Sequence, residues 1–311
     1  MYIQDVFTKY YDYRPFKNSI FLNKIIGNSS KILGVLANII LPYWFICFPH
    51  KYNKEKSIPI SICFTSFPKR INKVWLVIEC LLRQSLQPEE VRLYLSKEQF
   101  KCLDELPKNL KKYINNYFLK VYLVENDIKS HKKYWYAIND NVNRPIILVD
   151  DDIIYSSDTI KLLWENSKLH TDCVIACYCH KIKWDNNTKL ILPYSKWKGK
   201  VNIGDKGVDI FFGSGGGTYF PYNSLLNANE SIDILSKICP LADDIWLNAI
   251  IRKNGFKVLN IKRKGAVPEW KRFNNYKLST INNGESYNDK QLNNVISFFI
   301  EKYGFNPYSI N

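Results

Sequence analysis

Acidic side chains are the scarce kind in this chain: 29 aspartates and glutamates stand against 44 lysines and arginines over 311 residues, a formal charge of +15. So basic a balance points to polyanionic partners, whether nucleic acid, an anionic lipid surface or a phosphate-bearing substrate. The lysines are scattered in doublets such as Lys111-Lys112 and Lys132-Lys133. No helix-turn-helix, zinc-finger or RNP-type signature accompanies them, so nucleic acid is not expected as a partner. Paired C-x2-C knuckles are missing too. Cysteines 47, 63, 80, 102, 173, 177, 179 and 239 mostly sit inside apolar stretches, which reads as reduced, packed thiol. The run Cys173, Cys177, Cys179, His180 lacks the second ligand pair that a structural zinc site needs, and VIACYC alternates like a buried strand. After Met1 the charged, apolar, small-residue order of a cleavable signal peptide is absent, so export is not expected. What is present is ordinary globular composition, 46% hydrophobic and 23% charged, which is enough for one sizeable core.

Residues 32–48, ILGVLANIILPYWFICF, carry no charge and lie between Lys24 and Lys31 on one side and His50, Lys51, Lys54 and Lys56 on the other. A spanning helix needs about 20 apolar residues, and Asn38 and Pro42 interrupt this segment. Tyr43 and Trp44 at its far end, with lysines beyond, suit a helix lying in the headgroup layer, which makes an anionic membrane surface an expected partner. A helix packed on the domain and a spanning helix stay open as alternatives. Residues 1–56 are therefore taken as an N-terminal extension and 57–311 as the main domain. The expected location is cytoplasmic, peripheral at the inner face of the cell membrane.

From residue 58 apolar runs alternate with amphipathic ones. Strands are expected at 58–65 (IPISICFT), 91–95 (VRLYL), 120–124 (KVYLV) and 145–149 (PIILV), with helices at 71–83, near 98–103 and at 131–139. Successive βα units predict an α/β fold with a doubly wound, mostly parallel, Rossmann-like sheet, whose ligands bind beyond the carboxyl ends of the strands.

Three places carry chemistry. The strand PIILV delivers Asp150, Asp151 and Asp152 at its carboxyl end, a run of mutually repelling carboxylates that a divalent cation, Mg²⁺ or Mn²⁺, would relieve; alternation places Asp150 and Asp152 on one face. A solvated acidic turn is the alternative. In LADDIWLNAII, Asp243 and Asp244 open a helix, either as first-turn acids that suit the helix dipole or as a base for an acceptor hydroxyl. Between these motifs, FFGSGGGTYFP concentrates Gly213, Gly215, Gly216 and Gly217, a loop that lets a ligand approach the backbone, or else a hairpin turn. It is neither a Walker loop nor a G-x-G-x-x-G fingerprint.

The order FTSFPKRI, HKKYWYAI, IILVDDDIIY, FFGSGGGTYFP, LADDIWLNAI resembles bacterial polysaccharide-type glycosyltransferases related to family 2, over about residues 58–259. The resemblance implies a GT-A-like fold and transfer of a sugar, with inversion, from a nucleotide-sugar donor, UDP-sugar favoured, to a saccharide or lipid-linked acceptor. It implies a metal on Asp152 and Asp150, with Asp151 assisting, and donor binding by Thr65, Ser66, Arg70, Lys132 and Lys133. It also implies a sugar loop at Gly215, Gly216 and Gly217, and a catalytic base at Asp244 beside Asp243. Two departures stand out: LYLSKEQF offers Ser96 and Glu98 where relatives place an acid for the base, and no histidine follows His180, leaving water or Glu269 as the third metal ligand. A nucleotidyltransferase or other metal-dependent phosphotransferase, and a non-catalytic protein binding anionic membranes, are the rival readings.

Overall fold

The structure is a computed structural model that describes residues 2–11, 20–114, 118–140, 143–197, 201–261, 270 and 287–309, with the backbone alone at 10–11 and 20–31. Two helices, α1 (Ile3–Tyr11) and α2 (Ile20–Cys47), lead into β1 (Ser57–Thr65). Three βα units follow: α3 (Val74–Leu82) to β2 (Gln87–Ser96), α4 (Lys108–Ile114) to β3 (Leu119–Val124), and α5 (Lys132–Asn139) to β4 (Ile146–Val149). Beyond them run α6 (Thr159–Leu169), β5 (Cys173–Ala176), β6 (Cys179–Lys181), β7 (Lys206–Gly207), β8 (Ile210–Phe212) and β9 (Gly216–Phe220). The chain continues through α7 (Ile232–Ile238), α8 (Asp243–Lys253), β10 (Lys257–Asn260) and α9 (Tyr287–Tyr303).

Eight strands form one sheet in the order β3-β2-β1-β4-β9-β5-β10-β7, and β6 pairs with β8 beside it. Strands β3, β2, β1 and β4 are parallel, as are β5 and β10, while β9 and β7 run against their neighbours. This is the doubly wound, mostly parallel α/β sheet that the succession of βα units predicts. Alternation along β1 fills both faces: Ile60, Ile62 and Phe64 enter one apolar cluster and Cys63 the other. Each such side chain contributes about 1.5–3 kcal/mol by leaving water.

The direction of β9 positions the site. Because it pairs antiparallel to β4, its first residue, Gly216, lies opposite Val149, the last of β4. The glycine run is thereby set beside the three aspartates, although about 65 residues separate them in sequence.

The expected helices at 71–83 and 131–139 each open with a short 3₁₀ turn, at Ile71–Lys73 and Lys129–His131, before becoming α-helical. The helix expected near 98–103 is not formed. Ser96 closes a tight turn there, its carbonyl accepting from the amides of Gln99 and Phe100 and its hydroxyl from that of Glu98. The helix starts only after Pro107, whose carbonyl accepts from the amides of Leu110 and Lys111. VIACYC is two strands rather than one, since the chain bends at 177–178 and enters the second sheet with Cys179.

The N-terminal helices belong to the same core. Phe7, Ala37, Leu41 and Phe45 are buried in the cluster that contains α3. Gln4, fully buried, donates to the carbonyls of Cys80 and Tyr155. Among the described residues no helix is long and apolar enough to cross a membrane.

Candidate active site

At the end of β4 the three aspartates diverge. Asp151 is buried, accepting from the Ser66 hydroxyl at 2.6 Å and from Arg70 Nη1 at 2.7 Å. Asp152 lies 3.0 Å from the same guanidinium nitrogen. Asp150 turns the other way, with Oδ1 3.0 Å from Lys133 Nζ and 42% of its side chain exposed. Its amide donates to the Gly215 carbonyl and to the Tyr155 hydroxyl, which in turn donates to Gly215. Burial pushes the Asp151 carboxyl up despite Arg70 and Ser66. Arg70 itself is held above its ordinary value, because Asp151 and Asp152 outweigh the cost of burial.

The loop between β8 and β9 ties this cluster to the acids that open α8. The Ser214 hydroxyl donates to Asp243 Oδ2 at 2.7 Å, and its amide donates to Asp244 Oδ1 at 2.7 Å. Gly215 follows at once, and a methyl group there would occupy the space of the Asp150 carboxyl group. Glycine is required at this place by close approach. At Gly217 it is required by a φ of +95°. Lys133, 5% exposed, spans the two acid groups, 3.0 Å from Asp150 and 3.0 Å from Asp243.

The paired acids of α8 are electrostatically unequal. Burial alone would raise the Asp243 carboxyl, but Lys133, His131 and Ser214 together hold it below the usual range. Asp244 is pushed up to about 7, first by burial and then by ionised Asp243 beside it, against the weaker opposing pull of Lys133 and Ser214. Lys133 is held above its ordinary value, since Asp150, Asp243 and Asp244 outweigh its burial. His131, buried, contacts the Cys239 carbonyl through Nε2 at 2.6 Å and the Tyr134 hydroxyl through Nδ1 at 2.6 Å. A carbonyl only accepts, so Nε2 carries the proton; burial keeps the ring below its usual pKa, and in the neutral form Nδ1 accepts from Tyr134.

Of the other residues singled out from the sequence, Ser66, Arg70, Lys133, Asp150, Asp151, Asp152, Asp243 and Asp244 share this region. Thr65 and Lys132 are engaged elsewhere: the Thr65 hydroxyl donates to the Tyr94 carbonyl at 2.8 Å, and Lys132 pairs with Asp127. Asp127 also accepts from Gln99, and its amide donates to Glu98, so the carboxyl ends of β2 and β3 are laced together by polar groups. Asp150 and Asp152, expected on one face, have separate basic partners, while Asp151 and Asp152 share Arg70. Gly216 and Gly217 begin β9 rather than forming the tip of the loop. Glu269 lies outside the described residues; the amide of Trp270, next in sequence, donates to the Asp152 carbonyl at 2.8 Å.

Ser214, Tyr155 and Gln291 were not singled out from the sequence. Gln291 on α9 accepts from the amides of Leu241 and Ala242 and so fixes the entry to α8. Only Ser214 carried a signal, by standing inside the glycine run.

Among the described residues no three His, Cys, Asp or Glu side chains gather as a ready metal cage. Carboxylate oxygens are the donors that a hard divalent cation takes. Asp150, Asp151, Asp152 and Asp243 pair with two basic side chains, and Asp150 keeps part of its surface open.

No protein-family model and no curated protein sequence matches this chain. Among solved structures it is similar to S. aureus TarS 1-349, at 14% identity and a TM-score of 0.47 over 79% of this chain and 73% of that one. The complex of S. aureus TarS 1-349 with UDP aligns at 17% identity and a TM-score of 0.42, over 66% of this chain and 59% of that one.

Proposed function

We propose that this chain is a glycosyltransferase that moves a sugar from a nucleotide-sugar donor, UDP-sugar favoured, to a saccharide or lipid-linked saccharide acceptor. The observation that carries the reading is Asp244: a carboxyl poised at about 7 and fixed by Ser214, whose loop also reaches the strand-borne aspartates. A base with a pKa near the working pH combines an adequate ionised fraction with good proton affinity.

The donor diphosphate would lie over the carboxyl end of β4, where Asp150 and Asp152 would hold Mg²⁺ or Mn²⁺, an ion that would supply charge compensation for the departing nucleoside diphosphate. Arg70 orders Asp151 and Asp152, and Lys133 keeps Asp150 turned toward α8. Asp244 accepts the proton of the acceptor hydroxyl as its oxygen attacks the anomeric carbon from the face opposite the leaving group, inverting the configuration. Asp243 stays ionised on Lys133 and Ser214 and so keeps its neighbour's proton affinity high.

Replacing Asp244 with asparagine tests this. Turnover should fall by about 10²–10⁴-fold while donor affinity stays nearly unchanged, because a general base acts in the transition state. If Asp244→Asn is destabilised but turns over normally per folded molecule, the residue is only a first-turn acid of α8, and the reading loses its base.

A further inference from the structure

Helix α2 is apolar on two sides, and the protein uses only one of them. At about 100° per residue, Ala37, Leu41 and Phe45 fall on a single stripe, which is buried. Asn38 lies on the same side and is satisfied within the helix, its side-chain amide donating to the Gly34 carbonyl at 2.7 Å. The opposite stripe faces outward and is equally apolar: Ile32 is 62% exposed, Val35 53%, Leu36 40%, Tyr43 68% and Ile46 60%, with Trp44 on its flank at 40% and Phe48 just past the helix end at 57%. Single exposed hydrophobes are ordinary, but a contiguous stripe of this kind on one helix marks an interaction surface.

The chain leaving that stripe supplies charge. A cleft of about 640 Å³ opens at the end of α2, lined in part by His50, Lys51, Lys54 and Lys56, with Glu55 as the acid among them. The three lysines are exposed. His50 is held below its usual pKa, first by burial and then by the fields of Arg83 and Lys56.

We infer that α2 is a membrane-docking element: the stripe from Ile32 to Phe48 lies in the headgroup layer of an anionic bilayer, and the lysine-lined cleft beside it takes a lipid phosphate. The pattern fits that occupant. An aromatic pair at the helix end suits the polar–apolar boundary, and the neighbouring lysines meet anionic headgroups. A second copy of this chain fits worse, because two molecules of charge +15 would bring the same lysines together. Spanning is ruled out for α2 by its own packing, since Ala37, Leu41 and Phe45 are committed to the core. This inference does not depend on the catalytic reading.

Co-sedimentation of the full chain with vesicles tests it, using phosphatidylcholine alone and phosphatidylcholine mixed with phosphatidylglycerol. The wild type should pellet with the mixed vesicles and stay in solution with the neutral ones. The double substitution Tyr43→Glu, Ile46→Glu alters only exposed side chains, so circular dichroism should be unchanged while vesicle binding is lost. Changing Lys51, Lys54 and Lys56 to glutamine should weaken binding by about five-fold per lysine. Three results would overturn the inference: no pelleting of the wild type with anionic vesicles, pelleting of the Tyr43→Glu, Ile46→Glu protein equal to that of the wild type, or a dimer in light scattering that this double substitution dissociates without any vesicle binding.

Discussion

Two adjacent aspartates on α8 are electrostatically opposite because Lys133, His131 and the Ser214 hydroxyl favour the charge of the first more than that of the second. Asp243 meets Lys133 and the Ser214 hydroxyl, while Asp244 accepts from the Ser214 amide. The ionised form of Asp243 is therefore stabilised, and its charge makes ionising Asp244 harder. This inequality predicts a pH profile. Turnover should rise through about pH 7 as Asp244 loses its proton, and this acid limb should vanish from the residual activity of Asp244→Asn. The sign for stability is the reverse. The folded state holds a proton on Asp244 up to about 7, while the unfolded chain releases it near the ordinary carboxylate pKa. Over that window the native state binds more protons, so the contribution of Asp244 to stability falls as pH rises. Urea melts of wild type and Asp244→Asn at pH 5 and pH 8 check this: the variant should gain on the wild type at the higher pH, and an equal gap at both would contradict it.

At the scale of elements, the site is an accident of pairing that pattern alone does not reveal. The four parallel strands are legible because each carries a short, mostly apolar stretch bounded by polar segments, and DDD is legible because it follows the fully apolar IILV directly. Nothing local shows that β9 inserts antiparallel beside β4, yet this long-range pairing brings Gly215 and Ser214 to Asp150 and Asp244. The lysine doublet shows the same limit: Lys132 and Lys133 look alike in sequence, but one helical step sends the first to Asp127 and the second between the two acid groups. The missing helix at 98–103 has a local cause, the Ser96 turn, which an amphipathic pattern does not register. The β8–β9 connection should tolerate little change. Gly215→Ala puts a methyl group where the Asp150 carboxyl lies, so we expect about 1–3 kcal/mol of destabilisation from overpacking and weaker cation-dependent binding of nucleotide. Unaltered melting together with unaltered UDP affinity would show that the two motifs are not in contact.

For the molecule as a whole, the N-terminal helices and the sheet share one core. Phe45 on α2 is fully buried, with the Arg83 guanidinium 4.2 Å from its ring centre and Trp270 edge-on at 6.5 Å. Phe45→Ala should cost about 3–5 kcal/mol in urea unfolding, read in one transition with the sheet; a loss well under 1 kcal/mol would mean that α2 is an appendage. The excess of basic residues is also a property of the whole chain, suited both to an anionic surface and to a phosphate-rich donor. Donor binding is tested by calorimetric titration of nucleotide sugars, UDP-sugars first, with Mn²⁺ and with chelator, into wild type and Asp152→Asn. Binding should need the cation and be lost in the variant. Equal affinity with and without Mn²⁺ in both proteins, or binding of nucleoside triphosphates alone, would contradict this.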